Sequence, residues 1–315
     1  MGAGRLRRGF AMALAGVLLS GAASAQTKIN LMYTAVSAYG AAFVAKDQGF
    51  FAKRGLDVDL TMTTNGSLIM AAIMSGSIQI GTPTPTVFLQ AIDGGVDGVA
   101  LAATNVVPDA SQSGILAREG AGISSPADFA GKKVGVPGMG GMLHVVFSKW
   151  LQDNKVDPKR VTFVEIGFPQ MSDVLRSGNV DAVVAADPFH SRILAQKTGV
   201  FVADYIRNLP PQTIASVFAA SRQWAQSNPQ AVKAFQEAVQ EAVDFIPKNP
   251  DAAKESFARH TKLPPAIVAA LPIPGIAVKM TPAQIDFWSD VMMAQGLISK
   301  KPDAAKLVWP WQGAN

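Results

Sequence analysis

The sequence predicts an α/β protein built as two lobes, on three observations. Short apolar runs alternate with helix-compatible segments from Lys28 to Ala203, the pattern that layers helices against mostly parallel sheets. The 315 residues exceed a usual single domain of about 100–200 residues. Two stretches, Gly114–Glu119 and Ile214–Ala220, read as extended segments able to cross between lobes.

The chain opens on Arg5, Arg7 and Arg8, an apolar run from Phe10 to Leu19 and then Ala23-Ser24-Ala25. That order is a signal peptide over residues 1–25, cut before Gln26. The run of ten residues is about half the ~20 needed for a stable membrane span, so no stable membrane insertion is expected once the leader is removed. Arg7-Arg8 also partly fits a twin-arginine export signal. Removal of the three leader arginines takes the formal charge from +5 to +2. With no basic patch interleaved with aromatics, nucleic acid is not an expected partner. The absence of cysteine excludes disulfides, thiolate metal sites, a Cys nucleophile and a lipid-modified N-terminal Cys. His144, His190 and His260 show no metal-ligand spacing, and no metal or cofactor is expected.

Ile29–Tyr33 reads as a strand, Tyr39–Lys53 as a helix stopped by Gly55, and Asp57–Thr63 as a strand. Asn65-Gly66-Ser67 turns into a helix reaching Ser75, Ile78–Gly81 is a short strand, Thr84–Ile92 a helix, and Gly98–Thr104 closes the first half. Ser125-Pro126 supplies an N-cap and a first-turn proline. Strands follow at Lys133–Val136, Val161–Ile166, Asp181–Ala185 and Val200–Ala203, with helices at Gly141–Asn154, Gln170–Ser177 and Pro188–Lys197 between them. Beyond Ala220 the chain reads as helical. Val232, Phe235, Val239, Ala242 or Val243, and Ile246 share one face of a helix opened by Asn228-Pro229. The expected division is a first lobe from residues 26–115 plus 215–315 and a second from 116–214.

In open α/β sheets ligands settle beyond the carboxyl ends of strands, where helix N-termini offer N–H groups. The candidate residues are therefore those of the strand-to-helix loops. In the first lobe these are Ser37, Tyr39, Gly66, Ser67, Thr82 and Thr84; in the second, Met139, Gly140, His144, Phe168, Gln170, Asp187 and Phe189. The small hydroxyls suit carboxylate, sulfonate or carbonyl oxygens, and each serves equally as an ordinary N-cap. Gly138-Met139-Gly140-Gly141 permits close backbone approach but lacks nucleotide-loop spacing. Tyr39, Met139, Met142, Phe168 and Phe189 would wall an organic ligand, with core packing the other reading of Met142 and Phe189. Asp187 could accept a hydrogen bond from an amine or ring N–H, or cap the helix that follows.

Gly49-Phe50-Phe51-Ala52-Lys53-Arg54-Gly55-Leu56-Asp57-Val58 resembles the nitrate/sulfonate/taurine-type substrate-binding proteins of ABC importers, whose relatives bind thiamine precursors. The likeness continues through Ser75–Gly81, Ser125–Val136 and Gly178–Val184, ending in Asp187-Pro188. It implies the type II periplasmic-binding fold: two α/β lobes with a hinge and an interlobe ligand cleft. It also implies a periplasmic, monomeric, non-enzymatic component of an importer, with a permease and an ATPase as partners. The leading expectation for the ligand is a small organic anion, a sulfonate or carboxylate; the alternative is a thiamine precursor or similar N-heterocycle. An enzyme on the same scaffold is the rival of another class. Relatives of that kind cleave an aryl carbon–sulfur bond or make a thiamine pyrimidine; the first chemistry resembles cysteine catalysis, and this chain has no cysteine.

Overall fold

A computed structural model describes residues 1, 26–107, 113–270 and 272–313. The expected leader and its cleavage signal, residues 2–25, lie outside the described residues. Two five-stranded mixed sheets carry the helices.

The first sheet begins with β1 (Thr27–Thr34), which pairs in parallel with β2 (Leu56–Thr63) from Thr27↔Leu56 to Thr34↔Thr63. Between them runs α1 (Gly40–Asp47). The helix expected to reach Lys53 stops at Asp47, because Gly49 takes φ +74° and turns the chain. The turn sends Phe50 and Phe51 inward, and the Phe51 ring stacks on Phe235 at 5.4 Å. A single 3-10 turn, Ala52–Arg54, then ends at Gly55, whose φ of +71° makes glycine the fitting residue. Next come α2 (Ile69–Met74), β3 (Ile80–Gly81), α3 (Pro85–Asp93) and β4 (Gly98–Val106).

The second sheet opens with β5 (Ser113–Ala117). The sequence suggests a crossing segment here; instead all five residues pair antiparallel with β8 (Ala182–Ala186), and Ile115–Ala117 also pair with β9 (Val200–Ala203). Its burial from end to end fits this, since a segment spanning open space would not be buried throughout. The remaining elements are β6 (Lys133–Val136), α4 (Met142–Asp153), β7 (Thr162–Glu165), α5 (Met171–Arg176) and α6 (Phe189–Ala195), with the strand order β7-β6-β8-β5-β9.

The chain then returns as β10 (Ile214–Ser221), inserted between β3 and β4 and antiparallel to both, giving β2-β1-β3-β10-β4. Helices α7 (Arg222–Ser227), α8 (Pro229–Phe245), α9 (Pro250–Thr261), α10 (Pro265–Ala269), α11 (Pro282–Ala294) and α12 (Ala304–Leu307) complete this body. The core face of α8 is Val232, Phe235, Val239 and Ala242, all fully buried. Contrary to the all-helical expectation, residues 272–280 form neither helix nor strand. They cover the outer edge of β4: Ala103 N–H donates to Val278 O at 2.9 Å and Val106 N–H to Gly275 O at 3.1 Å. The same edge is met by Trp309, whose N–H donates to Ala100 O at 2.8 Å. An edge left open would invite pairing with another chain. Fully buried Gln236 fastens this strap, donating to Leu101 O at 2.7 Å and accepting from Gln312 N–H at 2.9 Å.

Candidate functional site

The carboxyl ends of β1, β2 and β3 face those of β6, β7 and β8 across a cleft of about 1000 Å³, part of it open to solvent. Eight of the thirteen candidate residues line it: Ser37, Tyr39, Gly66, Ser67, Thr82, Thr84, Phe168 and Asp187. Their placement follows from strand ends feeding helix starts. Thr84, for instance, caps α3 by accepting from Val87 N–H at 3.4 Å, with Pro85 in the first turn.

Most of these hydroxyls are engaged by the framework. Tyr39 Oη lies 3.2 Å from Thr34 Oγ1 and donates to Thr82 O at 3.4 Å. Thr82 Oγ1 donates to Met32 O at 3.3 Å. The Ser37 hydroxyl has no hydrogen-bond partner among the described residues. Thr84 and Ser67 instead reach across the cleft. Met142 N–H, at the start of α4, donates to Thr84 Oγ1 at 3.3 Å. Ser67 Oγ, shared with Asn65 Oδ1 at 2.5 Å, lies 3.1 Å from Glu165 Oε1 at the end of β7.

Five candidates stand elsewhere. Met139 leaves its side chain 44% exposed while its N–H donates to Glu165 Oε2 at 2.8 Å. Gly140, at φ +72°, gives its N–H to His144 Nδ1 at 3.0 Å and leaves room for the Gln90 side chain from the other lobe. His144 packs its ring on Phe163 at 4.4 Å rather than on the cleft. Gln170 is exposed at the start of α5. Phe189 is buried behind Phe168, the two rings stacked at 6.0 Å, so it backs the wall without forming it.

Sequence reasoning did not single out Asn105 of β4, Ser113 of β5, Ser216 of β10, or Pro272 and Pro274, all of which line the cleft. The polar three sit within apolar strands. A lone polar residue in such a run is the signal that could have found them, since burial there demands a partner.

Among the described lining residues there is no Lys, Arg or His, and Asp187 is the one acidic side chain. Its side chain is 9% exposed; Oδ1 accepts from Ser191 N–H at 2.9 Å and lies 3.8 Å from His190 Nδ1. Burial pushes the Asp187 carboxyl above and the His190 imidazole below their usual ranges. No group of three His, Asp or Glu among the described residues is arranged to hold a metal ion, and no described helix is long and apolar enough to cross a membrane.

Burial also lowers the His144 pKa. The unfolded chain then takes up this proton before the folded one, so the neutral ring's contribution to stability is lost as pH falls below the ordinary His value of about 6.5. Protonation also removes the Nδ1 lone pair that accepts from Gly140 N–H. Thermal unfolding followed from pH 7.5 to 5 is expected to show a decline that His144→Asn partly flattens; parallel curves for the two proteins would refute the assignment.

Comparison with known proteins agrees with this geometry. A binding protein of Brucella abortus (strain 2308), so named, is 28% identical over 222 residues, 70% of this chain and 67% of that protein. The formylaminopyrimidine-binding protein of Halalkalibacterium halodurans is 24% identical over 213 residues, 67% of this chain and 63% of that one. The fold is shared with the alkanesulfonate-binding protein SsuA from Xanthomonas axonopodis pv. citri, solved bound to MOPS: TM-score 0.77, 21% identity, covering 91% of this chain and 99% of that one. The two-lobed periplasmic-binding architecture expected from residues 49–58 and their companions is thus the observed one. With the NMT1/THI5-like family profile matching residues 37–253, the chain belongs to the NMT1/THI5-like family.

Proposed function

We propose that this protein is the solute-binding component of an ABC importer, exported to the periplasm as a monomer. It captures a small organic ligand between its lobes and passes it to a permease and an ATPase. The observation that carries this reading is the cleft itself, walled by strand ends of both sheets and crossed by hydrogen bonds that only a closed arrangement can make. On this reading the first sheet and its helices, within residues 26–107 and 214–313, form one lobe, and the second sheet with its helices, within residues 113–203, forms the other. The binding proteins among its relatives favour binding, and the absence of cysteine counts against cysteine-type catalysis.

An organic anion fits the serine and threonine side of the cleft, and the sulfonate-binding relative supports it. The apolar wall of Phe168, braced by Phe189, also suits a planar N-heterocycle, the chemistry named for the formylaminopyrimidine-binding relative. Binding of either class stabilises the folded protein, by about 2.7 kcal/mol at a hundredfold excess over Kd. A thermal-shift panel of alkanesulfonates, aryl carboxylates and aminopyrimidines at millimolar concentration is expected to give at least one clear rise in Tm. A flat response to all of them would defeat the reading. Within a positive class, Ser37→Ala is expected to weaken binding severalfold, since its hydroxyl is uncommitted.

A further inference from the structure

Asp187 presents an oxygen that its structural duties leave over. Capping α6 uses Oδ1, which accepts from Ser191 N–H at 2.9 Å. Oδ2 is buried and has no partner among the described residues, although the residue lines the cleft and its side chain is 91% buried. A buried acceptor left without a donor costs about 1–3 kcal/mol, so its retention beside a cleft calls for a functional explanation.

The Ser191 hydroxyl lies close enough to lower the Asp187 pKa, against the larger effect of burial, but makes no hydrogen bond to Oδ2, and the other neighbours do not fill the gap. Ser113, on the adjacent strand, gives its hydroxyl to Ala185 O at 3.0 Å. His190 is 4% exposed with both ring nitrogens unpartnered, and burial keeps it neutral, so it does not offset a carboxylate charge. Arg118 is paired with Asp181 and Arg207 with Asp204, and among the described residues no lysine or arginine lines the cleft. An anion set beside the ionised Asp187 carboxylate would therefore meet like charge with no cation among the described lining residues to relieve it.

We propose that Asp187 is the specificity-determining acceptor of the cleft, selecting ligands that present an N–H or ammonium donor at the end of β8. This rests on the cleft being the solute site. The ligand's acceptor oxygens are then free to lie toward Ser37, so a molecule with a donor at one pole and acceptors at the other satisfies both walls.

Two probe pairs differing by one group test it: taurine against 1-propanesulfonate, and 4-aminopyrimidine against 4-methylpyrimidine. Calorimetric titration of the wild type is expected to favour the N–H member of the binding pair about tenfold or more, the worth of a charge-assisted hydrogen bond. In Asp187→Asn, whose amide oxygen still caps α6, the ratio is expected to fall toward one. The wild-type ratio alone decides the matter should the variant fail to fold. Equal affinities in the wild type, or a preference that survives in Asp187→Asn, would overturn the proposal while leaving a solute-binding protein. Failure of every probe at millimolar concentration would count against the importer reading and the proposal together.

Discussion

Trp288→Ala is expected to lower the unfolding free energy by about 3–5 kcal/mol, the usual cost of removing a large buried aromatic. The indole of α11 is fully buried, packs edge-on against Phe287 at 5.2 Å and donates its Nε1–H to Ile214 O at 2.9 Å. Ile214 begins β10, where it is paired with Val106 of β4. Alanine would leave both a cavity and a buried carbonyl short of a donor at the point where the chain re-enters the first sheet. Trp288→Phe restores part of the volume but not the hydrogen bond, and should recover roughly half of the loss. Equilibrium denaturant unfolding measures both; a Trp288→Ala change below about 1 kcal/mol would show that α11 does not anchor β10.

Glu165→Ala carries the largest expected effect on function. Glu165 is not itself a lining residue, yet it accepts from Ser67 of the opposite lobe and from Met139 N–H within its own. Only the first of these distinguishes a closed from an open cleft. A hydrogen bond to a charged group contributes about 1.5–3 kcal/mol, and a ligand that requires closure must supply whatever the protein no longer does. Ligand affinity is expected to fall about 10- to 150-fold, with Glu165→Gln losing less. Small-angle scattering of the ligand-free variant should show a larger radius of gyration than the wild type. An unchanged radius together with unchanged affinity would remove Glu165 from the closing mechanism.

The loops that wall the cleft were legible because their signals are local. Thr84 before Pro85 announces a helix start, and Asn65-Gly66-Ser67 announces a turn; both are where the sequence put them. What was not legible depends on distant pairing. Ser216 faces the cleft because β10 is inserted between β3 and β4, more than a hundred residues away in sequence. Nothing in Ile214–Ser221 alone distinguishes that place from any other apolar strand. Met139 and Gln170 lie on the expected loops, but a loop position does not fix which way a side chain turns. Met139 commits its backbone to Glu165 and leaves its side chain outside. His144 fails for a related reason: in the first turn of α4, its ring is drawn to Phe163 and to the Gly140 amide. The overextended helix after Tyr39 reflects Gly49, whose left-handed backbone is invisible to apolar periodicity.

The insertion of β10 also governs when each half can be finished during synthesis. Residues 113–203 hold all five strands of the second sheet in one continuous stretch, so that half is complete as soon as it is made. The first sheet has no such autonomy. Until Ser221 has left the ribosome, β3 lacks its second neighbour and β4 lacks the strand that joins it to the rest. The strands made from residues 27–106 therefore stay unsealed until β10 has been made, well after the second sheet has all its strands.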